Sequence, residues 1–404
     1  MTTDTTSTPL STDSPSTKST STDAVETFFS LVKHPEIRSG LKTLQINTPT
    51  PVQRAAIPEL LSGSDAIVQA QTGSGKTLAF VLPMLSRLLD ASPFFGTFGL
   101  IVCPTRELAL QVRDVITKVL PEMQPACIIG GAKQSGQVRD LENDPRIIVG
   151  TPGRLLDLID QGEINLRKCR MFVLDEADEM LSMGFLEEVR AILSRLPRER
   201  QGLFFSATIT SRVNQLANSF LKEPKRIECE VREETAPQID HIFTRVDGSL
   251  TAKAVALAAF LHQLQPRSAI VFCNTKSDTE LVEILLRKRG IESERLNSDL
   301  SQKDRERTMN SFRSGELKVL IATDIAARGI DIKDLELVVN YAVHDQAETY
   351  VHRTGRTGRA GKSGTALSIV GPQDFTAFHQ LSKTLPVTMR EVSVPVAKVE
   401  SAPA

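Results

Sequence analysis

The sequence predicts two α/β units in tandem, joined by a short linker, each a parallel sheet covered by helices on both faces. Three observations carry this expectation. Short β-branched or apolar runs end abruptly in polar, Gly-rich or charged residues, and helical patterns follow them; unbroken apolar runs of this length belong to strands buried on both faces. The rhythm occurs twice, on either side of a charged stretch near Lys225–Gln238 that contains Pro237. Nearly every polar cluster of note falls directly after a run, at the carboxyl end of a strand, where open α/β sheets collect their ligands.

The chain opens on a head in which 15 of the first 22 residues are Ser or Thr. Such a segment buries too little apolar surface to offset chain entropy, so residues 1–23 are expected to be disordered. Two acidic residues, Asp4 and Asp13, and the lack of Arg and of an apolar core argue against a transit or signal peptide. The first unit covers 24–228, with strands at Ala66–Val68, Leu100–Cys103, Cys127–Ile129, Ile147–Val149, Met171–Leu174 and Leu203–Phe205. A linker at 229–239 leads to the second unit at 240–394. Its strands lie at Ile270–Cys273, Val319–Ala322, Leu337–Asn340 and Ala366–Val370, and residues 395–404 form a tail.

Composition narrows the possibilities. With 48 basic and 49 acidic side chains the net charge is −1, so a grip on nucleic acid by bulk charge is excluded and a few placed donors would have to suffice. Aromatic residues make up 5% and Trp is absent, which argues against a base-stacking platform. The five cysteines are scattered without a Cys-x-x-Cys pair and read as reduced, buried thiols. No apolar stretch is long enough to span a bilayer, so a membrane protein is not expected.

The strongest local signal is Ala70-Gln71-Thr72-Gly73-Ser74-Gly75-Lys76-Thr77, placed after a strand and before the apolar-periodic Leu78–Leu89. This is a phosphate-binding loop. Its glycines let backbone N–H groups wrap the phosphates, Lys76 reaches the terminal phosphates, and the Thr77 hydroxyl binds Mg²⁺. The strict pattern starts with Gly, and Ala70 departs from it. A second acidic element is required on a neighbouring strand, and Asp175-Glu176 after Phe172–Leu174 supplies it. Asp175 would hold the Mg²⁺ shell, largely through water, and Glu176 would deprotonate the attacking water. ATP and Mg²⁺ are therefore the expected ligands.

Asp175-Glu176-Ala177-Asp178 reads DEAD, and from about residue 28 to 370 the chain resembles the DEAD-box RNA helicases, whose motifs recur here in order. The resemblance implies two RecA-like domains and an RNA-dependent ATPase that locally unwinds or remodels RNA without sequence preference. It implies that Gln53 in Thr48–Gln53 reads the adenine edge and that Phe28 stacks on the base, although Gln45-Ile46 stands where the family has Gly-Phe. Pro104, Thr105 and Arg106, Gly131 after Gly130, and Thr151 and Arg154 resemble the RNA-backbone contacts of the first lobe. Gln302, Arg305, Thr323 and Asp324 resemble those of the second. Asp178, Ser206, Thr208 and His352 correspond to groups that couple ATP state to lobe movement. Asp331 is implied to contact the ribose, and Arg356 and Arg359 in the basic run His352–Arg359 to be arginine fingers on the γ-phosphate. The run Asp178–Phe185 has a bacterial character. A cytoplasmic monomer is the expectation, with RNA as its partner.

Two other classes share these features. An ATP-gated RNA clamp would bind RNA without releasing strands, and a P-loop ATPase acting on DNA or protein would not need the ribose contact expected of Asp331. The sequence does not name a particular RNA or a protein partner.

Overall fold

The computed structural model describes residues 27–71, 73–229, 239–247, 249–297, 299–327, 335–344, 346–358 and 363–395. The expected disordered head, most of the linker, and the expected site residues Thr72, Asp331 and Arg359 lie outside them, as does the Gln302 side chain.

Fourteen strands among the described residues form two seven-stranded sheets, with every pairing parallel. The first sheet holds β1 (Ala66–Gln69), β2 (Gly99–Val102), β3 (Ala126–Ile128), β4 (Ile147–Gly150), β5 (Met171–Leu174), β6 (Gln201–Ser206) and β7 (Lys225–Glu228), in the order β3-β4-β2-β5-β6-β1-β7. The second holds β8 (Ile239–Arg245), β9 (Ala269–Cys273), β10 (Glu294–Leu296), β11 (Val319–Thr323), β12 (Leu337–Asn340), β13 (Gly364–Val370) and β14 (Arg390–Glu391), in the order β10-β11-β9-β12-β13-β8-β14.

Helices cover both faces, and the apolar runs explain why. Successive residues of a strand point to opposite sides. Ala66 and Val68 enter one apolar cluster while Ile67 enters another, and Val271 and Ile270 divide in the same way in the second sheet.

Ten of the fourteen strands coincide with the runs read from the sequence. The other four are β7, β8, β10 and β14, which lie at or next to sheet edges. There one face meets water and charged side chains interrupt the apolar pattern. β7 pairs Lys225–Glu228 with Ala66–Gln69 as the outer strand of the first sheet.

Candidate functional site

The exits of β1, β5 and β6 converge. From β1 the chain turns through the phosphate-binding loop into the helix Lys76–Asp90. Gly75 caps that helix at φ +94°, and a Cβ there would stand 2.5 Å from Gln53 Nε2. Only glycine fits both the left-handed backbone and the approach of that side chain. Lys76 is buried and its Nζ donates to the Ala70 carbonyl at 2.9 Å. Ala70 N in turn donates to Ser206 O at 3.0 Å. The first loop position thus works through its backbone, and alanine in place of glycine costs the loop nothing. Gly73 is in the left-handed region, Ser74 Oγ closes the turn on Gln71 O at 2.8 Å, and Thr77 is half-buried one residue into the helix.

Asp175 ends β5, 3% exposed, with Oδ1 buried and without a hydrogen-bond partner among the described residues. Burial pushes its carboxyl up to about 7, against the pull of Lys76 and with a further push from Glu176. A buried carboxylate oxygen that nothing in the fold satisfies is the feature a divalent cation would complete. Glu176 follows at φ 54°, ψ 54°. A non-glycine residue in that region is strained by about 1–3 kcal/mol, a cost typical of functional sites.

From this turn the coupling residues form one cluster. Thr208 N and Oγ1 both donate to Asp178 Oδ2 at 2.8 Å. Asp178 N donates to Ser206 Oγ at 3.2 Å, and Ser206 Oγ donates to Thr208 O at 2.8 Å. The strand end Ser206–Thr208 is therefore tied to the acidic turn through Asp178. His352, from the second lobe, stands with Nδ1 4.0 Å from Glu179 Oε2, one residue beyond Asp178. Glu179 was not singled out from the sequence; its only signal was its place beside Asp178.

The adenine-side expectations meet a different geometry. Gln53 is buried, with Oε1 accepting from Thr50 N at 2.8 Å and Nε2 donating to Gly75 O at 2.9 Å. It caps its own helix and braces the phosphate loop. Phe28 is 2% exposed within the main apolar cluster of the first lobe, which leaves no open ring face for a base. In this arrangement the ring expected to stack on the base packs in the core.

The exits of β2, β3 and β4 gather the first lobe's expected RNA groups. Pro104 and Thr105 are buried, and Thr105 caps the helix Arg106–Val119 by accepting from Leu108 N at 3.3 Å. Arg106 lies across Gly130-Gly131, where a Cβ on Gly131 would stand 2.1 Å from Nη1. Thr151 stands at the N-cap position of the helix Pro152–Asp160, directly after β4, with no side-chain capping bond. Arg154 on that helix keeps Nη1 buried without a hydrogen-bond partner among the described residues. These donors suit phosphate and sugar oxygens.

Two residues expected to contact RNA from the second lobe meet protein partners in this arrangement. Arg305 is buried: Nη2 donates to Ala326 O at 2.7 Å, Nη1 to Asn297 O at 3.3 Å, and Nε pairs with Glu107 of the first lobe. With its guanidinium held on three sides, it acts as a lobe-to-lobe clamp in this arrangement rather than as an RNA donor. Asp324 receives Arg353 in a bidentate pair at 2.7 and 2.6 Å, so its oxygens serve the fold. Thr323 is buried at the end of β11. Arg356 follows the helix Ala347–Thr354 and is half-buried. No described helix is long and apolar enough to cross a membrane.

Comparison with known proteins agrees with this geometry. The DEAD/DEAH box helicase profile matches residues 50–216 and the helicase conserved C-terminal domain matches 252–361. The ATP-dependent RNA helicase DeaD of Haemophilus influenzae is 41% identical over 362 residues, 89% of this chain and 58% of that protein. The chain thus spans less than two thirds of the length of such DeaD relatives. The DEAD-box ATP-dependent RNA helicase CshA of Geobacillus kaustophilus is 38% identical over 371 residues, 91% of this chain and 79% of that one. Among solved structures, S. cerevisiae Dbp5 bound to RNA and ADP BeF3 superposes with a TM-score of 0.80 at 31% identity, covering 91% of this chain and 95% of that one. With its two RecA-like domains and ordered motifs, this chain belongs to the DEAD-box helicase family.

Proposed function

We propose that this protein is an ATP-dependent RNA helicase that hydrolyses ATP to ADP and phosphate when RNA closes its two lobes, 24–228 and 240–394, and so unwinds or remodels short duplexes. The observation that carries the reading is the cluster at the exits of β1, β5 and β6, where Lys76, Asp175, Glu176 and the Asp178–Thr208 link meet. RNA bound to Dbp5, whose fold this chain shares, supports the substrate class.

In this mechanism the phosphate loop and Lys76 hold the phosphates, and Glu176 accepts a proton from the attacking water. Thr77 and Asp175 would hold Mg²⁺, which supplies charge neutralisation on the phosphate oxygens. Arg356, with Arg359, reaches the γ-phosphate from the second lobe and stabilises charge that develops in transfer. Gln302 and Thr323 join Arg106, Thr151 and Arg154 in contacting the RNA backbone, Asp331 contacts ribose, and 2′-hydroxyl contacts favour RNA over DNA. The protein acts as a monomer in the cytoplasm.

The test is ATP turnover without nucleic acid, with single-stranded RNA, and with the matching DNA, at a stated salt concentration. Stimulation by RNA alone is expected; equal stimulation by DNA overturns the substrate assignment. Glu176→Gln is expected to lower kcat about 100-fold or more while ATP still binds. Wild-type turnover in that variant would remove Glu176 from the role of base.

A further inference from the structure

The helix Ala347–Thr354, which carries the chain to Arg356, is pinned to the second sheet by two side chains. Arg353, 2% exposed, reaches Asp324 directly after β11 and Asn340 at the end of β12. Tyr350, also buried, reaches the other side of the sheet, with Oη 2.7 Å from Nδ1 of His241 on β8. From the Arg353 anchor the contacts run on through Asn340 to Ser368 on β13.

On the Arg353 side, arginine has no acceptor, so Nη1 donates to Asn340 Oδ1 at 3.2 Å, which orients the amide so that Asn340 Nδ2 donates to Ser368 Oγ at 3.4 Å. On the Tyr350 side, burial lowers the His241 pKa, which favours a neutral imidazole that accepts the Tyr350 proton at Nδ1.

We propose that His241 is a positioning residue for the arginine-bearing helix: as hydrogen-bond partner of the buried Tyr350 hydroxyl it fixes Tyr350, and through Tyr350 the approach of Arg356 to the phosphates. β8 is the first strand of the second sheet in chain order, so the strand that leaves the interlobe connection also sets the helix that completes the site. The inference rests on the ATPase reading above.

Three variants test it: His241→Leu, which removes the acceptor, His241→Gln, which restores one, and Tyr350→Phe, which removes the hydroxyl and keeps the ring. RNA-stimulated kcat should fall about fivefold in His241→Leu and in Tyr350→Phe, with KM for ATP within about twofold, because the first lobe holds most of the nucleotide groups. His241→Gln should recover to within about twofold of wild type, and the His241→Leu/Tyr350→Phe double variant should be no worse than either single one. Wild-type kcat in Tyr350→Phe overturns the inference, and so do additive losses in the double variant. A purely structural role would lower the melting temperature of all three without the split between kcat and KM, and would overturn it as well. A wild-type protein that RNA does not stimulate overturns the parent reading, and this one with it.

Discussion

The two lobes carry the same sheet and put it to different use. In spatial order β7, β1, β6, β5, β2, β4 and β3 of the first correspond to β14, β8, β13, β12, β9, β11 and β10 of the second. The exits of matching strands can therefore be compared directly. After β1 a glycine-rich loop leads to Lys76, which is buried with its ammonium on the Ala70 carbonyl at 2.9 Å. After β8 a short turn leads to the helix Leu250–Leu264, whose Lys253 is also buried, with its ammonium on the Tyr341 carbonyl at 3.0 Å. The difference is the counter-charge. Lys253 has a half-buried partner in Asp374, whereas Lys76 forms no ion pair among the described residues. At the exit of β5 stand Asp175 and Glu176; at the exit of β12 stands Tyr341. A lysine with a carboxylate built into the fold acts as a structural bolt; one without keeps its charge for a phosphate, the role proposed for Lys76.

The sharpest way to break that comparison is to remove each lysine in turn. Lys76→Ala should lower ATP turnover about 100-fold or more and leave the melting temperature near that of wild type. Lys253→Ala should leave KM for ATP unchanged but destabilise the protein by about 1–3 kcal/mol, because Asp374 loses its counter-ion and keeps the Gly371 N–H on Oδ2. Adding Asp374→Asn should recover part of that loss. A Lys253→Ala protein that melts with wild type would mean that the second lysine is not a bolt.

These contrasts also mark what the sequence could convey. A phosphate loop is local: its glycines, its lysine and the strand before it lie within a dozen residues, so the nucleotide site was legible. Strands covered on both faces announce themselves as apolar runs; β7 (Lys225–Glu228) and β14 (Arg390–Glu391) do not, because edge strands carry charge. The residues whose surroundings the sequence did not convey are those whose role depends on what stands opposite. Arg305 and Asp324 have the chemistry of nucleic-acid contacts and the right place after a strand, yet Arg305 meets Glu107 from the other lobe and Asp324 meets Arg353. Phe28 has the spacing of a stacking aromatic, but tertiary packing buries it. Residue type and strand end are written in the sequence; the facing partner is not.

A second contrast lies between acidic groups. Asp374 has its counter-ion, while Asp175 is held protonated up to about pH 7 by burial. A carboxyl whose folded pKa is raised binds its proton more tightly folded than unfolded, so the site contributes most below the unfolded value near 3.8, and that contribution is lost as pH rises toward 7. In metal-free protein, Asp175→Asn should therefore raise stability at pH 7 by on the order of 2 kcal/mol while abolishing hydrolysis, a trade of activity against stability. The gain should shrink as pH falls from 7 to 4. Melting curves at several pH values in chelator measure it, and a gain that grows toward pH 4 would mean that burial does not govern Asp175.

The smallest effect expected comes from the opposite end of the first sheet, where Arg106 lies over Gly131. In the second lobe the matching exit, after β10, begins with Asn297, and an arginine again sits against it, Arg305 on the Asn297 carbonyl. Arg305 is closed in by protein, whereas Arg106 rests against a glycine. Gly131→Ala adds a methyl group at a position with φ +75°, which costs about 1–2 kcal/mol on backbone grounds alone. That Cβ would stand 2.1 Å from Arg106 Nη1, and the flexible end of the arginine is what must give way. Gly130→Ala is the control: its Cβ would meet Arg106 no closer than 3.5 Å, so the guanidinium keeps its place. If Arg106 holds a phosphate, Gly131→Ala should weaken single-stranded RNA binding about tenfold and reduce the salt slope by about one, with Gly130→Ala close to wild type. Equal RNA affinity and salt slope in both variants would mean that Arg106, like Arg305, serves the fold, and the contrast between open and enclosed arginines would fail at this pair.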